Sequence, residues 1–123
     1  MYKFVIAIAL AGAAAAQSAT WGGDHAQIEL TGRGGKTEFD CAHGTIDEPL
    51  SAGANGAFSV KGTLTPERGG PVQGEDAPAL KATYSGTIKD DAMTLRVTVA
   101  GQEAPIGTFE LTRGRSGNLR KCR

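Results

Sequence analysis

A chain of 123 residues with 13 basic and 13 acidic side chains, hence no net charge, and only two cysteines is long enough for one small domain and no more. Balanced charge excludes a global pull on nucleic acid or on an anionic membrane. No phosphate-cradling GxxxxGK[ST], no GxGxxG, no GxSxG elbow and no HExxH occurs, which removes the common signatures of nucleotide, hydrolase and zinc-protease chemistry.

The chain begins MYKFVIAIALAGAAAAQSA, one lysine followed by an apolar run from Phe4 to Ala16 closed by small residues. This reads as a secretory signal helix over residues 1–16, about 13 apolar residues being too few to span a hydrocarbon core. Cleavage is expected after Ala16, with the bond after Ser18 as the alternative. No cysteine stands there to carry a lipid, and no second apolar stretch follows, so no transmembrane anchor is expected in the mature chain. Removal of residues 1–16 takes Lys3 and leaves 12 basic against 13 acidic side chains, a net charge of −1. The expected location is periplasmic or secreted.

Residues 17–23 hold Trp21, the only tryptophan, beside Gly22 and Gly23, and are expected to form a flexible mature N-terminus. Residues 24–123 are expected to form a single domain. Trp21 is expected either to plug one end of that domain or to serve as a binding aromatic.

From Asp24 onward apolar and polar residues alternate with period two. Ala26, Ile28 and Leu30 share one face, with His25, Gln27, Glu29 and Thr31 on the other. Thr37, Phe39 and Cys41 follow as inward positions, then Phe58, Val60, Gly62 and Leu64. Leu80, Ala82, Tyr84, Gly86 and Ile88 come next, then Met93, Leu95, Val97 and Val99. Strands with one wet face account for this rhythm. Turn signals separate them: GRGG at 32–35, SAGANG at 51–56, KDDA at 89–92 and GQEAP at 101–105.

The prediction is an all-β antiparallel up-and-down meander of seven or eight strands, closed or nearly closed into a small barrel and carrying one disulfide. Four copies of Gly-Thr followed by a large apolar residue, at Gly44, Gly62, Gly86 and Gly107, set glycine on the inward face. Glycine inside a strand marks a corner or a close backbone approach, as a tightly coiled barrel requires.

Cys41 and Cys122 allow one pairing. In an oxidising compartment an even count is read first as a bridge, and closing a loop of about 80 residues stabilises by roughly 4 kcal/mol in the chain-entropy model. A thiolate nucleophile wants a base within hydrogen-bond reach, whereas in a strand Cys41 and His43 stand about 7 Å apart. Two histidines and two cysteines without paired spacing make no zinc site; no metal and no cofactor are expected. His25 is expected on a solvated strand face and His43 at a strand end. Neither has a visible orienting partner, so no catalytic residue is assigned.

The stretch from Thr65 to Ala79, with three prolines and three glycines, shows no alternation, and connections this long carry function or are disordered. Pro66, Arg68, Pro71, Gln73 and Glu75 join Trp21 as candidate binding residues. Arg113, Arg115, Arg120, Lys121 and Arg123 crowd the last 11 residues without an acid. They form either a basic patch for an acidic partner or the outward face of a last strand whose inward face holds Leu111, Leu119 and Cys122.

The rhythm AFSVKGTLT…ALKATYSGTIKDDAMTLRVTV…IGTFEL, with two cysteines and the leader, resembles small periplasmic bacterial proteins of unknown function. More loosely it is similar to small disulfide-bearing barrels among lysozyme and metalloprotease inhibitors, and to lipocalin-like barrels. Trp21-Gly22-Gly23 reverses the lipocalin GxW order, and no family residue carries over. The expected function is a monomeric, non-enzymatic module that binds a protein partner in the envelope, and no nucleic acid, through the N-terminus or the 66–78 loop. The alternatives are a lipocalin-like carrier of small hydrophobic ligands and an envelope structural or stress protein.

Overall fold

A computed structural model describes residues 18–67 and 78–121. Eight strands follow one another: β1 (Ala19–Gly23), β2 (Ala26–Leu30), β3 (Gly35–Phe39), β4 (Ala42–Ile46), β5 (Ala57–Pro66), β6 (Leu80–Lys89), β7 (Ala92–Val99) and β8 (Gly107–Arg113). Each pairs antiparallel with the next, and β8 pairs back onto β1, so the meander closes into a barrel. The signal-helix expectation for residues 1–16 lies outside the described residues.

Alternation fixes which side of each strand faces in. Ala26, Ile28 and Leu30 of β2 are buried, as are Met93, Leu95, Val97 and Val99 of β7, between exposed or half-buried polar neighbours. In β5, Phe58, Val60, Gly62 and Leu64 alternate with Ser59, Lys61 and Thr63. Phe39 of β3 meets Phe109 of β8 across the interior, ring centroids 5.1 Å apart. Trp21, Tyr84, Ile28, Met93, Leu95, Leu111, Val97 and Thr37 are each less than 2% exposed. An eight-stranded barrel is just wide enough for its side chains to fill, and here they do.

The connections β1–β2, β3–β4, β5–β6 and β7–β8 share one rim, called the upper rim below; β2–β3, β4–β5 and β6–β7 share the lower. At the lower rim, Leu50 of the β4–β5 connection is buried with the core. Arg113, at the lower end of β8, lays its guanidinium 4.5 Å from the centroid of the Trp21 ring and reaches Asp91 of the β6–β7 turn through Nε at 3.3 Å.

Three sequence expectations are corrected. The flexible lead-in expected over residues 17–23 is corrected where it is described: Ala19–Gly23 is a barrel strand, in register with β2 from Ala19↔Leu30 to Gly23↔Ala26. Its glycines serve close approach rather than freedom. A Cβ on Gly22 would run into the Arg115 carbonyl, and one on Gly23 into the Glu110 carbonyl. The domain therefore begins at β1, not at residue 24. Second, the last strand stops at Arg113, and residues 114–121 leave the barrel wall, so Leu119 is only half-buried and is no inward strand position. Third, Cys41 is exposed in the β3–β4 turn rather than inward.

Three of the four Gly-Thr repeats, at Gly44, Gly62 and Gly86, place glycine where backbones crowd, while Gly107 faces the Phe109 ring. Gly44 is the clearest case. It sits between Thr37 of β3 and Leu64 of β5, and a Cβ there would stand 2.5 Å from Tyr84 Oη and 3.0 Å from Thr37 Oγ1. The space Gly44 vacates lets the Tyr84 phenol cross the interior. It donates to the Thr63 carbonyl at 2.6 Å, and Thr37 Oγ1, at 3.0 Å, then donates to it. Burial of this phenol pushes its pKa up to about 12, the Thr37 bond opposing slightly and Asp47 adding to the rise.

Two outcomes follow. Gly44→Ala should overpack this centre and destabilise by about 1–3 kcal/mol in urea titration; an unchanged midpoint would contradict the geometry. Because the folded phenol titrates above its unfolded value of 10, the stability it protects is intact below about pH 10. It is lost as pH rises toward 12, at about 1.4 kcal/mol per unit. Tyr84→Phe should flatten the alkaline fall in melting temperature, and an equally steep fall would contradict the assignment.

Candidate functional site at the upper rim

After β8, Gly114 at φ +80° reverses the chain, and residues 115–121 run back as a strap along the outside of the barrel toward the upper rim. The start is fixed by Gly114 N–H donating to the Thr20 carbonyl at 2.6 Å. Farther on, Gly117 N–H donates to Gln27 Oε1 at 2.7 Å. Asn118 exchanges main-chain bonds with the β1–β2 turn, donating to Gly23 and accepting from His25, both at 2.9 Å. Arg120 N–H donates to Asp40 Oδ1 at 2.8 Å, and Lys121 Nζ donates to the Phe39 carbonyl at 2.8 Å. The strap thus crosses the β1–β2 turn and ends on the β3–β4 turn.

A charged cluster surrounds this end. His25, held in the left-handed region at φ 72° in the β1–β2 turn, places Nδ1 2.6 Å from Asp40 Oδ2. His43 of β4 places Nδ1 2.7 Å from Oε2 of Glu67, whose own N–H donates to the Cys41 carbonyl at 2.8 Å. Lys121 Nζ joins the two halves, 2.7 Å from Glu38 and 3.1 Å from Glu67. The Arg120 amide holds the Asp40 carboxyl below the usual range, outweighing the desolvation that pushes it up, with His25 assisting. Burial pushes Glu67 up, but its bonds to His43 and Lys121 carry it below the ordinary value. Burial pulls Lys121 down, and Glu38 and Glu67 more than restore it.

Chemically the cluster is a fastening. Both imidazoles have a carboxylate on Nδ1, the arrangement that orients a catalytic base. Among the described residues, however, neither is hydrogen-bonded to a hydroxyl, and no group of three His, Cys, Asp or Glu suits a metal. Beside His25 an open recess of about 460 Å³ lies at the seam of β8 and the β1–β2 turn, lined by Asp24, Thr108, Phe109, Glu110, Thr112 and Arg115 among others.

The candidate residues read from sequence are dispersed. Trp21 is 1% exposed, a plug inside the barrel, its Nε1 buried without a hydrogen-bond partner among the described residues. Pro66 is exposed at the end of β5. Arg68, Pro71, Gln73, Glu75, Cys122 and Arg123 lie outside the described residues. The basic tail is no single patch: Arg113 serves the lower rim, Arg115 lines the recess, Arg120 binds through its amide, and Lys121 sits among carboxylates. His25 is in a turn rather than on a strand face, and His43 is within β4 rather than at a turn. Their partners Asp40 and Glu67 went unread, because each lies on another strand or loop at a register the sequence does not display. Only Glu38, opposite His43 across the tight β3–β4 hairpin, could have been placed from the DC turn. Cys41 carries no free thiol.

Compared with known proteins, the chain matches no family model, no curated protein and no solved structure. The fold defines a class by architecture: a closed, eight-stranded antiparallel barrel with an external strap after β8.

Since Asp40 and Glu67 titrate below their unfolded values, what they contribute is present above about pH 4 and lost as pH falls through the depressed values. Asp40→Asn and Glu67→Gln should melt below the parent at neutral pH, with the gap closing as pH falls through the depressed values. A gap that persists in acid would show that the carboxylate charge is not what holds the strap.

Proposed function

We propose that the protein is exported to the periplasm or secreted, and acts there as a monomeric, non-enzymatic binding module that engages a protein partner at its upper rim. One observation carries this reading: the barrel interior is filled by its own side chains. That argues against a carrier with a ligand in the lumen and moves recognition to the outside. The longest connection, between β5 and β6, leaves the upper rim from Glu67, which the Cys41 carbonyl, His43 and Lys121 hold in place. A firmly rooted connection on a rigid scaffold suits presentation to a partner. Ile106, 41% exposed in the β7–β8 connection of the same rim, offers an apolar contact beside it.

The proposal includes a Cys41–Cys122 bridge, which would bolt the strap to the β3–β4 turn. In its favour, Arg120 and Lys121 are bonded to Asp40 and Phe39, the two residues before Cys41. The imidazole–carboxylate pairs are spent on this anchoring rather than on turnover.

Replacing residues 68–77 by a short Gly-Ser turn should leave the melting temperature within a few degrees while abolishing capture of the partner from an envelope extract. Capture that survives the replacement, or lipid retained by the purified protein in native mass spectrometry, would contradict the reading.

A further inference from the structure

The outer faces of β5, β6 and β7 carry four cations, Lys61, Lys81, Lys89 and Arg96, and these three strands hold no Asp or Glu at all. In a molecule whose charges cancel, that is a segregation. Acids border the face: Glu48 beyond β4 accepts from the Lys61 amide at 2.8 Å and Asp47 from Thr45, Asp90 and Asp91 stand in the β6–β7 turn, and Glu110 on β8 accepts from Thr94 at 3.1 Å. None of Lys61, Lys81 and Arg96 forms an ion pair among the described residues.

The ground between the cations is hydroxyl. Thr63 stands opposite Lys81, while Lys61 stands opposite Thr83, which stands opposite Thr98. One row on, Ser59, Ser85 and Arg96 stand in line across the three strands. Cross-strand neighbours on one face are about 5 Å apart and next-but-one residues about 7 Å. Lys61 and Lys81, and then Arg96, therefore bracket a strip about two strands wide and lined with hydroxyls.

We propose that this face, separate from the upper rim, binds a linear polysaccharide bearing carboxylates: the hydroxyls exchange hydrogen bonds with sugar hydroxyls, and Lys61, Lys81 and Arg96 take the carboxylates. A lipid surface fits less well, because the face presents no large apolar side chain to insert, Ile106 being the exposed one and lying in the β7–β8 connection. Single-stranded nucleic acid would want aromatic platforms, and the tyrosine of β6, Tyr84, points into the core.

Affinity electrophoresis of the purified protein through gels containing polygalacturonate, with neutral dextran as reference, tests this. Retardation by polygalacturonate alone, strongest at low salt because exposed charges are screened, is expected. Lys61→Gln with Lys81→Gln should weaken it at least tenfold, whereas Arg33→Gln with Lys36→Gln, the same loss of charge elsewhere, should change it less than twofold. Thr83→Val with Ser85→Ala should weaken it several-fold while circular dichroism shows the fold intact. No retardation at low salt, equal loss in both charge pairs, binding indifferent to the hydroxyls, or binding confined to phosphatidylglycerol vesicles would each overturn the assignment. Shortening residues 68–77 should leave this binding unchanged, which separates its failure from that of the upper-rim reading.

Discussion

The structure depends on how β1 is wedged. Among the described residues the closing seam of the barrel has only two register pairs, Trp21↔Arg113 and Gly22↔Thr112, against eight between β5 and β6. A seam that short would leave two sheet edges poorly mated, and unmated edges recruit other chains. Closure is instead secured from both sides. Gly22 and Gly23 lack the side chains that would hold the strap and β8 away. Trp21, on the face opposite Gly22, drives its indole into the core under the Arg113 guanidinium.

The strap then has to be held: main-chain bonds tie Asn118 to the β1–β2 turn, the side chains of Gln27 and Asp40 accept the Gly117 and Arg120 amides, and charge gathers at its far end. Exposed ion pairs contribute little singly, so Lys121 alone would be a weak clasp. Carboxylates that accept from backbone amides or from several donors are stronger, and Asp40 takes both the Arg120 amide and His25. The same bonds orient two histidines and thereby give them a structural task. The upper rim is thereby cross-linked at the root of the longest connection, while on the wall from β5 to β7 the side chains of Lys61, Lys81 and Arg96 form no ion pair among the described residues.

Much of the fold was legible from period-two alternation, which located β2, β3 and β5 to β7, and from the turn signals between them. The inward glycines of the Gly-Thr repeats could be read because a glycine in an otherwise bulky face needs a reason. What failed did so for identifiable causes. Gly22 and Gly23 have the composition of a flexible lead-in, and nothing local distinguishes freedom from crowding, since the crowding comes from residues 110 and 115, far along the chain. The tail around Arg115 to Lys121 looked like a strand or a basic patch because its acidic partners, Glu38, Asp40 and Glu67, lie more than 50 positions upstream. The histidine–carboxylate pairs were invisible for a related reason: the sequence gives each strand's faces but not the register between strands.

Amide hydrogen exchange on β1 tests the account most directly. If the strand is wedged between β8 and the strap, Trp21 and Gly22 amides should exchange as slowly as those of β6 and β7, through global unfolding. Exchange of these amides at rates typical of an exposed chain end, with β6 and β7 still protected, would mean that the barrel stands open and that the N-terminal residues are a loose arm after all.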